Sequence, residues 1–529
     1  MRAVARHKGS IITEMPTKDT RVRWGLIATI VLAALLLRLP NIDTRSLWID
    51  ELYSEWFSSR PLAELWRDVP SYETHPPFYY AMLKAWRAAF GKSELGLRSL
   101  SLVASLLTVL ALGVLPHLLK LGIATNWTSL SAAALLAVNY ASIREAQNAR
   151  PYALQTLFCT IAILSGAALI SRLKSTSLGQ SRSWIIPSTS LGLFTGVALW
   201  LHNTSFFFAV GLWSSMALSV MLLPKERRWQ SLAIITGAGM LALVVWLPYM
   251  PTFLKQSRNF SHLAFWLNPK PADLYSAWML VLGNKWLLAL LAIAMVAWGL
   301  FWLSRIDRAL ATVFIGVLVV PLGLMLAVSF SIKPIYIQRL FVWMVPIALL
   351  AMTYGLSPLS HQGVRNSILV LVISIAAFCT LRDIDRPIDD WKLIVREIAT
   401  HAEPGDVVIA TPAEGSIALD YYVRQQPTFP PIVCIPGCYP QRGLKRRYGS
   451  NLGAPMIVAA DGGTVDRTLS SYKRIWLVQV SVALYDPKSI VRSRVLKARH
   501  FVRYYGNSLA RVDLFEEIHT PTEQINNGH

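Results

Sequence analysis

Apolar residues are grouped along the chain in long, nearly unbroken runs rather than in short alternating patterns. A helix needs roughly 20 apolar residues to cross a hydrocarbon layer ~30 Å thick. About eleven runs approach that length, and the fifth and sixth could form one pair broken at His202 and Asn203. The runs cover residues 24–39, 97–119, 128–143, 151–171, 184–201, 204–223, 231–250, 276–303, 309–330, 339–356 and 366–381. The pattern predicts an α-helical polytopic membrane protein with about 11 transmembrane helices.

The composition of the 529-residue chain supports this interpretation. The mean hydropathy is +0.43, and only 15% of the residues are charged, whereas soluble domains contain about a quarter. The net charge of +21 would suggest nucleic-acid binding in a soluble protein. In a membrane protein, however, an excess of Lys and Arg is expected in the cytoplasmic loops. We therefore predict the lipid bilayer as a partner, and no nucleic acid.

Basic residues in the short loops predict the orientation of the chain. The basic tail, residues 1–23, is assigned to the cytoplasm, and residues 24–381 form the membrane domain. The loop at 40–96 contains eight acidic residues and is assigned to the outer side. Eleven crossings also put residues 382–529 outside, whereas an even number would reverse their side. The alternate loops assigned to the cytoplasm contain Arg172, Lys225, Arg305 and Arg365.

Residues 382–529 have a different pattern, with frequent charges, short apolar runs and turn signals. They predict a soluble α/β domain. Its predicted helices run from Trp391 to about His401 and around Leu419–Tyr422, and its predicted strands cover 407–410, Pro455–Ala459 and Arg474–Val480. Cys434 and Cys438 are the only closely spaced cysteines. Outside the membrane they could form a disulfide, and their spacing fits neither a zinc site nor a redox motif well.

The first outer loop, residues 40–96, contains the most informative local sequences. Residues 62–66 and 79–86 predict amphipathic helices at the membrane interface. Asp50 and Glu51 follow the first membrane run by about ten residues. An ionisable group at the mouth of a membrane cavity is a functional candidate. A solvated acidic face or a helix cap is the alternative from the residues alone.

Several short motifs recur in an order that resembles the GT-C superfamily of polyprenyl-phosphate-sugar-dependent glycosyltransferases. They are Trp48-Ile49-Asp50-Glu51, His75-Pro76-Pro77-Phe78-Tyr79-Tyr80, Phe90-Gly91-Lys92-Ser93-Glu94 leading to Arg98, Ala149-Arg150-Pro151-Tyr152-Ala153-Leu154, and Asp390-Trp391 followed by Pro404-Gly405-Asp406. The chain looks like the bacterial family 39 group, which includes protein O-mannosyltransferases and aminoarabinose transferases of lipid A. The resemblance is densest over 38–155 and looser over 182–380. It implies a bacterial inner-membrane protein with a cytoplasmic N-terminus and a periplasmic C-terminal domain.

The resemblance implies that Asp50 is the catalytic carboxylate. The sugar donor already has a good leaving group, its lipid phosphate, so the reaction needs a base more than an acid. An Asp or Glu can take the proton from the acceptor hydroxyl as that oxygen attacks the anomeric carbon. Direct displacement would invert the anomeric centre. Glu51 is the second catalytic candidate, with a metal-binding or a purely structural role as the alternatives.

The resemblance also implies a set of residues that bind the phosphate of the lipid donor. Charge that develops on a departing phosphate is stabilised by fixed cations and donors, and arginine suits phosphate because it can form paired hydrogen bonds. The alternatives are a helix cap for His75, interfacial snorkelling for Arg339, and structural roles for Arg150 and Tyr152. The candidate residues are His75, Arg339, Lys333, Arg150 and Tyr152.

The expected donor substrate is a polyprenyl-phosphate sugar, and the acceptor is a lipid, a glycan or a protein. No other cofactor is required, and a divalent metal is left undecided. His202 and His262 lie on the outer side and could share a metal with Glu51, but their spacing does not demand one. Gln155 stands where protein mannosyltransferases tend to carry Asp, which weakens the case for a protein acceptor.

Other classes of function are compatible with many membrane spans. A transporter or flippase of a lipid-linked glycan would often show two matching halves, and the sequence has none. An oligosaccharide ligase or polymerase would carry its large loop late in the membrane region rather than after the first span. A GT-C protein O-mannosyltransferase and a catalytically inactive scaffold are further alternatives. The sequence therefore favours a membrane glycosyltransferase.

Overall fold

The computed structural model describes residues 18–119, 121, 126–175, 182–259, 267–383, 389–424, 426, 428–444, 447, 453–507 and 509–518. A helical part precedes a smaller part that is built around a sheet. The helices of the first part are α1 (Lys18–Arg38), α2 (Ile49–Ser59), α3 (Leu62–Arg67), α4 (Pro77–Phe90), α5 (Glu94–Leu118), α6 (Asn126–Ala137), α7 (Tyr140–Ala146), α8 (Tyr152–Ser175), α9 (Ile185–Leu201), α10 (Ser205–Met221), α11 (Lys225–Trp246), α12 (Met250–Asn259), α13 (Asp273–Ser276), α14 (Met279–Leu282), α15 (Trp286–Ile306), α16 (Arg308–Ser331), α17 (Val345–Leu356) and α18 (Gln362–Asp383).

The second part contains five helices and five strands. The helices are α19 (Trp391–His401), α20 (Gly415–Val423), α21 (Gly462–Ser471), α22 (Val482–Tyr485) and α23 (Ile490–Ala498). The strands are β1 (Val407–Thr411), β2 (Ile432–Cys434), β3 (Ile475–Val480), β4 (Arg499–Gly506) and β5 (Ala510–Glu517). Short 3₁₀ helices occur at Val69–Ser71, Gln338–Met344 and Ala459–Asp461.

Within the described residues, eight helical segments are long and apolar enough to cross a membrane. The predicted class, a polytopic helical membrane protein with a C-terminal α/β domain, is confirmed. The eight segments are Thr20–Arg38, Glu94–Leu118, Tyr152–Lys174, Lys225–Trp246, Trp286–Ile306, Arg308–Ser331, Gln338–Leu356 and Gln362–Asp383.

The remaining three of the predicted runs fall on shorter helices. The run at 128–143 is divided between α6 and α7, because the Asn139 side chain accepts a hydrogen bond from the Ser142 N–H and starts a new helix there. The fifth and sixth runs form α9 and α10, each 17 residues long, with the chain broken at His202. Polar residues that bond to the backbone thus interrupt the apolar runs.

Burial separates a central group of helices from an outer group. In α8, 89% of the apolar window is buried, and the segment Gln338–Leu356 reaches 94%. In α18 only 17% is buried, and large apolar side chains such as Phe378 and Leu381 are exposed. Outer helices with exposed apolar side chains are typical of a bundle surrounded by lipid.

The sheet has the strand order β2-β1-β3-β5-β4, in which β1 is parallel to β2 and β3, and β5 is antiparallel to β3 and β4. The predicted strand at Pro455–Ala459 is wrong. Pro455 has no N–H to donate, and the Val458 N–H donates to the carboxylate of Asp461, so this segment ends in a 3₁₀ helix. Cys434 and Cys438 are joined by a disulfide.

The first loop and the C-terminal domain share one apolar core. Phe57 of α2 and Leu83 of α4 belong to the same buried cluster as Trp391 of α19 and Trp476 of β3. The hydroxyl of Tyr422, on α20, accepts a hydrogen bond from the Leu47 N–H at 2.7 Å. The domain therefore packs directly on the segment that carries the acidic motif.

Candidate active site

Helix α2 presents Asp50 in its first turn. The helix begins after Trp48, whose extended backbone donates its N–H to Oε2 of Glu51 at 3.3 Å. Leu52 and Trp56 recur at helical spacing and are buried, which fixes the rotation of the helix about its axis. Asp50 consequently lies half-buried at a helix N-terminus, where a negative charge is favoured.

Arg339 pairs with Asp50 across a large sequence separation. Its Nη2 donates to Oδ2 of Asp50 at 2.9 Å, and the two residues are 289 positions apart. The guanidinium carbon lies 5.2 Å from the ring centroid of Trp48 and 5.7 Å from that of Tyr152. Both distances are within the range of a cation–π contact. Two aromatic rings therefore hold Arg339 beside the carboxylate.

Arg150 is buried beside the same carboxylate and connects α2 to the second motif. Its Nη1 donates to the backbone oxygen of Asp50 at 3.0 Å and to Oγ of Ser54 at 3.4 Å. Its Nη2 contacts Nε2 of His75 at 3.2 Å. Two arginine side chains thus contact Asp50, one through its carboxylate and one through its backbone oxygen.

The partners of His75 define which of its ring nitrogens carries the proton. An arginine side chain can only donate, so Nε2 of His75 accepts from Arg150. The proton is then on Nδ1, which donates to the Glu73 carboxylate. The backbone N–H of His75 donates to the same carboxylate at 3.0 Å. His75 is therefore neutral in this arrangement and is joined to the site through Arg150.

The backbone on the N-terminal side of the paired prolines is held by residues from later helices. Nδ2 of Asn203 donates to the carbonyl oxygen of Thr74 at 2.6 Å. Nε2 of Gln256 donates to the carbonyl oxygen of Glu73 at 2.6 Å, and its own Oε1 accepts from the Tyr249 hydroxyl at 2.6 Å. The break between α9 and α10 therefore supports the motif that ends in two prolines.

Glu51 lies next to Asp50 in the sequence but has different contacts. Nε and Nη2 of Arg98 donate to its two oxygens at 2.8 and 2.6 Å. The Ala149 N–H donates to Oε1 at 2.8 Å, and Glu51 is fully buried. Arg98 also donates to the carbonyl oxygen of Ser46 at 2.9 Å. Of the roles left open for Glu51, these contacts favour the structural one.

The charge state of Asp50 follows from two opposing effects. Burial alone would raise the pKa of its carboxyl group, but the positive charges of Arg339 and Arg150 outweigh that effect. The net result is a pKa below the ordinary value of 3.8. Asp50 is therefore ionised at neutral pH, with its charge balanced by the two arginines.

The other predicted residues lie at different distances from the cluster formed by Asp50, Arg150 and Arg339. Tyr152 is buried against Arg339, whereas Lys333 is half-buried before the 3₁₀ helix that carries Arg339. His262 lies outside the described residues. Over the residues that the structure describes, no group of three or more His, Cys, Asp or Glu side chains has an arrangement suited to a metal ion.

His202 lies closer to the cluster than its sequence position suggested. It is only 6% exposed, and its ring centroid lies 5.0 Å from that of His75 and 5.6 Å from that of Tyr152. From the sequence, His202 is a candidate metal ligand only. The signal that could have singled it out is the polar pair His202-Asn203 between two apolar runs.

Glu414 connects the C-terminal domain to α2 and was not foreseen. Its Oε1 accepts hydrogen bonds from the hydroxyls of Tyr53 at 2.5 Å and Tyr485 at 2.6 Å. Burial raises the pKa of Glu414 to about 7, although both tyrosine hydrogen bonds oppose the increase. Tyr53 is on α2, three residues after Asp50, so this carboxyl group lies at the contact between the domain and the acidic motif.

Comparison with known proteins gives a consistent result at the level of the fold. ArnT from Cupriavidus metallidurans in the apo state has a TM-score of 0.55 and 13% identity, covering 93% of this chain and 98% of that one. The same protein bound to undecaprenyl phosphate has a TM-score of 0.53 and 14% identity, with the same coverage of both chains.

A second likeness is to the archaeal oligosaccharyltransferase AglB from Archaeoglobus fulgidus, solved with an inhibitory peptide and a dolichol-phosphate. Its TM-score is 0.53 at 10% identity, covering 94% of this chain and 74% of that one. No protein-family model and no curated protein sequence matches the chain. The chain therefore has the GT-C fold, as its motifs predicted.

Proposed function

We propose that this protein is a membrane glycosyltransferase that moves a sugar from a polyprenyl-phosphate donor to an acceptor hydroxyl. The observation that carries the proposal is the set of donors around Asp50. Nε of Arg150, Nε of Arg339 and Nε1 of Trp48 are buried, and each makes no hydrogen bond within the described residues. A buried donor without a partner is costly, and a phosphate offers several acceptor oxygens to such donors.

In the proposed reaction Arg150 and Arg339 bind the phosphate, and Asp50 acts as the base. The acceptor oxygen attacks the anomeric carbon and its proton passes to Asp50. The bond between that carbon and the phosphate oxygen breaks, and the lipid phosphate leaves with the bonding electrons. The two arginines stabilise the charge that develops on the phosphate. Such a single displacement inverts the anomeric centre.

The pairing of Asp50 with Arg339 suggests how donor binding prepares the base. Oδ2 of Asp50 accepts from Arg339 at 2.9 Å in the structure, and a phosphate would compete for the same guanidinium. As Arg339 turns to the phosphate, Asp50 loses part of its counter-charge, and its pKa rises toward that of a useful base. Binding of the donor and activation of the base are thereby coupled.

The remaining candidates have supporting parts in this proposal. His75 acts through Arg150, to which it is hydrogen-bonded, and Tyr152 holds Arg339 in place. Glu51 fixes the backbone before Arg150 through the Ala149 N–H. Lys333 adds positive charge at the entrance for the lipid phosphate. We further propose the bacterial inner membrane, with the site and the C-terminal domain on the periplasmic side.

The test uses purified full-length protein in detergent, a panel of polyprenyl-phosphate sugars and a membrane extract as the acceptor source. Release of lipid phosphate and product mass are measured for the wild type, Asp50→Asn and Asp43→Asn, the last being an exposed acid of the same loop. We expect Asp50→Asn to lower turnover by about a hundredfold or more while undecaprenyl phosphate still binds. Asp43→Asn should retain wild-type turnover.

Two results would contradict the proposal. If Asp50→Asn turns over as fast as the wild type, Asp50 is not the base. If no donor is consumed and lipid-linked glycan instead crosses a proteoliposome membrane, the protein is a transporter.

A parallel assay with EDTA determines whether turnover needs a divalent metal. The mass of the product identifies the sugar and distinguishes lipid, glycan and protein acceptors.

A further inference from the structure

The break between α9 and α10 brings a second imidazole to the cluster around Asp50. His202 packs edge to face against His75, with an interplanar angle of 77°, and its ring also contacts Tyr152. It is 6% exposed. A buried histidine at the end of an apolar helix requires partners for both ring nitrogens.

The contacts of His202 identify its tautomer. The backbone N–H of Thr204 donates to Nδ1 of His202 at 3.2 Å, and the hydroxyl of Thr204 lies 2.8 Å from the same nitrogen. A backbone N–H can only donate, so Nδ1 of His202 is an acceptor. The proton of the neutral ring is therefore on Nε2.

That Nε2–H is buried and makes no hydrogen bond within the described residues. The two imidazoles thus differ: Nε2 of His75 is an acceptor occupied by Arg150, whereas Nε2 of His202 is an unused donor. The ring of His202 also stays neutral, because burial and the nearby positive charge of Arg150 hold its pKa well below the ordinary value. A group that satisfies this donor must supply an acceptor oxygen.

An anionic oxygen fits this position better than a neutral one. Nε of Arg150, Nε of Arg339 and Nε1 of Trp48 are also buried and make no hydrogen bond within the described residues, and each of these atoms is a donor. Together with Nε2–H of His202, the two arginine Nε–H groups offer three donors to the oxygens of one phosphate group. A neutral imidazole adds a hydrogen bond without adding a third positive charge to a site that already contains two arginines.

We propose that Nε2–H of His202 donates a hydrogen bond to the phosphate of the polyprenyl-phosphate donor, between Arg150 and Arg339. This inference rests on the proposed function and adds to it a phosphate ligand from the break between α9 and α10. The contact is to the phosphate and not to the sugar, so it is expected with the lipid phosphate alone.

Binding of undecaprenyl phosphate to the full-length protein in detergent tests this assignment, by fluorescence titration. His202→Phe keeps the ring packing but removes both nitrogens, and His202→Asn can replace only the contact with Thr204. His202→Gln can place an amide donor near Nε2. We expect His202→Phe and His202→Asn to weaken binding about tenfold, and His202→Gln to bind within about threefold of the wild type. His361→Phe, at an exposed histidine, is the matched control.

The outcomes separate this inference from the proposed function. If the wild type does not bind undecaprenyl phosphate, both fail. If Arg339→Gln weakens binding but His202→Phe does not, only the role of His202 is overturned. The same conclusion follows if the variants bind the lipid phosphate normally and lose affinity only for the sugar-loaded donor. Thermal unfolding of each variant checks that the fold is retained. Wild-type binding by His202→Phe together with weaker binding by His202→Gln and His202→Asn would indicate a packing role only.

Discussion

The charges that hold Asp50 ionised would also weaken it in its proposed role as a base. Arg339 and Arg150 lower the pKa of its carboxyl group, and a weaker base accepts a proton less readily. The two requirements are compatible only if the charges around Asp50 change during the reaction. A donor phosphate that takes over Arg339 would produce that change, because burial then raises the pKa of Asp50.

The pH dependence of turnover is predicted to differ between the free enzyme and the donor complex. The dependence of kcat/KM reports the free enzyme and that of kcat reports the complex. Since the free pKa of Asp50 is lowered, kcat/KM should fall only below about pH 4. The acidic limb of kcat should lie at higher pH, because the donor phosphate has then taken over Arg339. Initial rates at limiting and saturating donor, over about pH 3 to 8, measure both limbs.

Arg339→Gln is the control for this experiment. Without the guanidinium the pKa of Asp50 rises in the free enzyme, so the acidic limb of kcat/KM should move upward toward that of kcat. Coincident limbs in the wild-type protein would mean that donor binding leaves the charge around Asp50 unchanged, and would contradict the exchange of Arg339.

Helix α2 separates two neighbouring carboxylates by its geometry. Consecutive residues on an α-helix point about 100° apart. Asp50 therefore faces Arg339, whereas Glu51 faces the buried guanidinium of Arg98. The Glu51–Arg98 pair ties α2 to α5 and to the backbone N–H of Ala149. At the scale of the helix, the acidic motif thus combines a carboxylate that faces the two arginines with one that orients the helix.

Glu51→Gln is predicted to destabilise the protein because it leaves the buried charge of Arg98 without its counter-ion. Removing one member of a buried pair costs about 3 kcal/mol or more. The double variant Glu51→Gln with Arg98→Gln should lose less than the sum of the two single changes. Thermal and denaturant unfolding in detergent measure the differences. Additive losses would show that the two side chains are not coupled, and Glu64→Gln in the same loop is the control.

At the scale of the whole molecule, the C-terminal domain and the membrane part are joined at the site. The shared apolar core contains residues of α2 and α4 together with residues of α19, α20 and β3. Glu414 accepts hydrogen bonds from Tyr53 on α2 and from Tyr485 in the domain. Ionisation of this buried carboxyl group would place a negative charge between the C-terminal domain and α2.

Stability is predicted to depend on the ionisation of Glu414. Its pKa is raised from 4.5 to about 7 in the folded protein, so the folded state binds this proton more tightly than the unfolded state. The stabilisation that comes from the tighter binding of the Glu414 proton is fully present below about pH 4.5, and it is lost as the pH rises through about 7. Glu414→Gln should resemble the wild type at about pH 5 and be more stable at about pH 8, by up to about 3 kcal/mol.

The unfolding temperature of the full-length protein between these pH values measures the effect. Glu226→Gln, at an exposed acid, should show the same difference from the wild type at both pH values. The difference in unfolding temperature between Glu414→Gln and the wild type could also be independent of pH. In that case Glu414 does not titrate in this range, and it does not make the contact between the domain and the membrane part depend on pH.

Prediction from the sequence succeeded where the signal is local. The apolar runs at 97–119 and 309–330 correspond to α5 and α16, since the cost of leaving an apolar helix in water depends on its own side chains. It failed where a distant partner decides the structure. Strands β4 and β5 were missed, because pairing of β5 with β3 and of β4 with β5, rather than a strong β pattern, forms them. The predicted strand at Pro455–Ala459 was wrong because the Val458 N–H donates to the carboxylate of Asp461 instead of to a neighbouring strand.

The sequence by itself determined the membrane class, the α/β character of the last segment and the motif order that indicated the GT-C fold. These follow from hydrophobicity and spacing, which are properties of short segments. Only the tertiary structure decided that Arg339 reaches Asp50 over 289 residues, that Glu51 is buried against Arg98, and that His75 and His202 carry their protons on different nitrogens. Those outcomes depend on which groups the packed helices bring within hydrogen-bond distance, and such distances are not encoded in the spacing of any one motif.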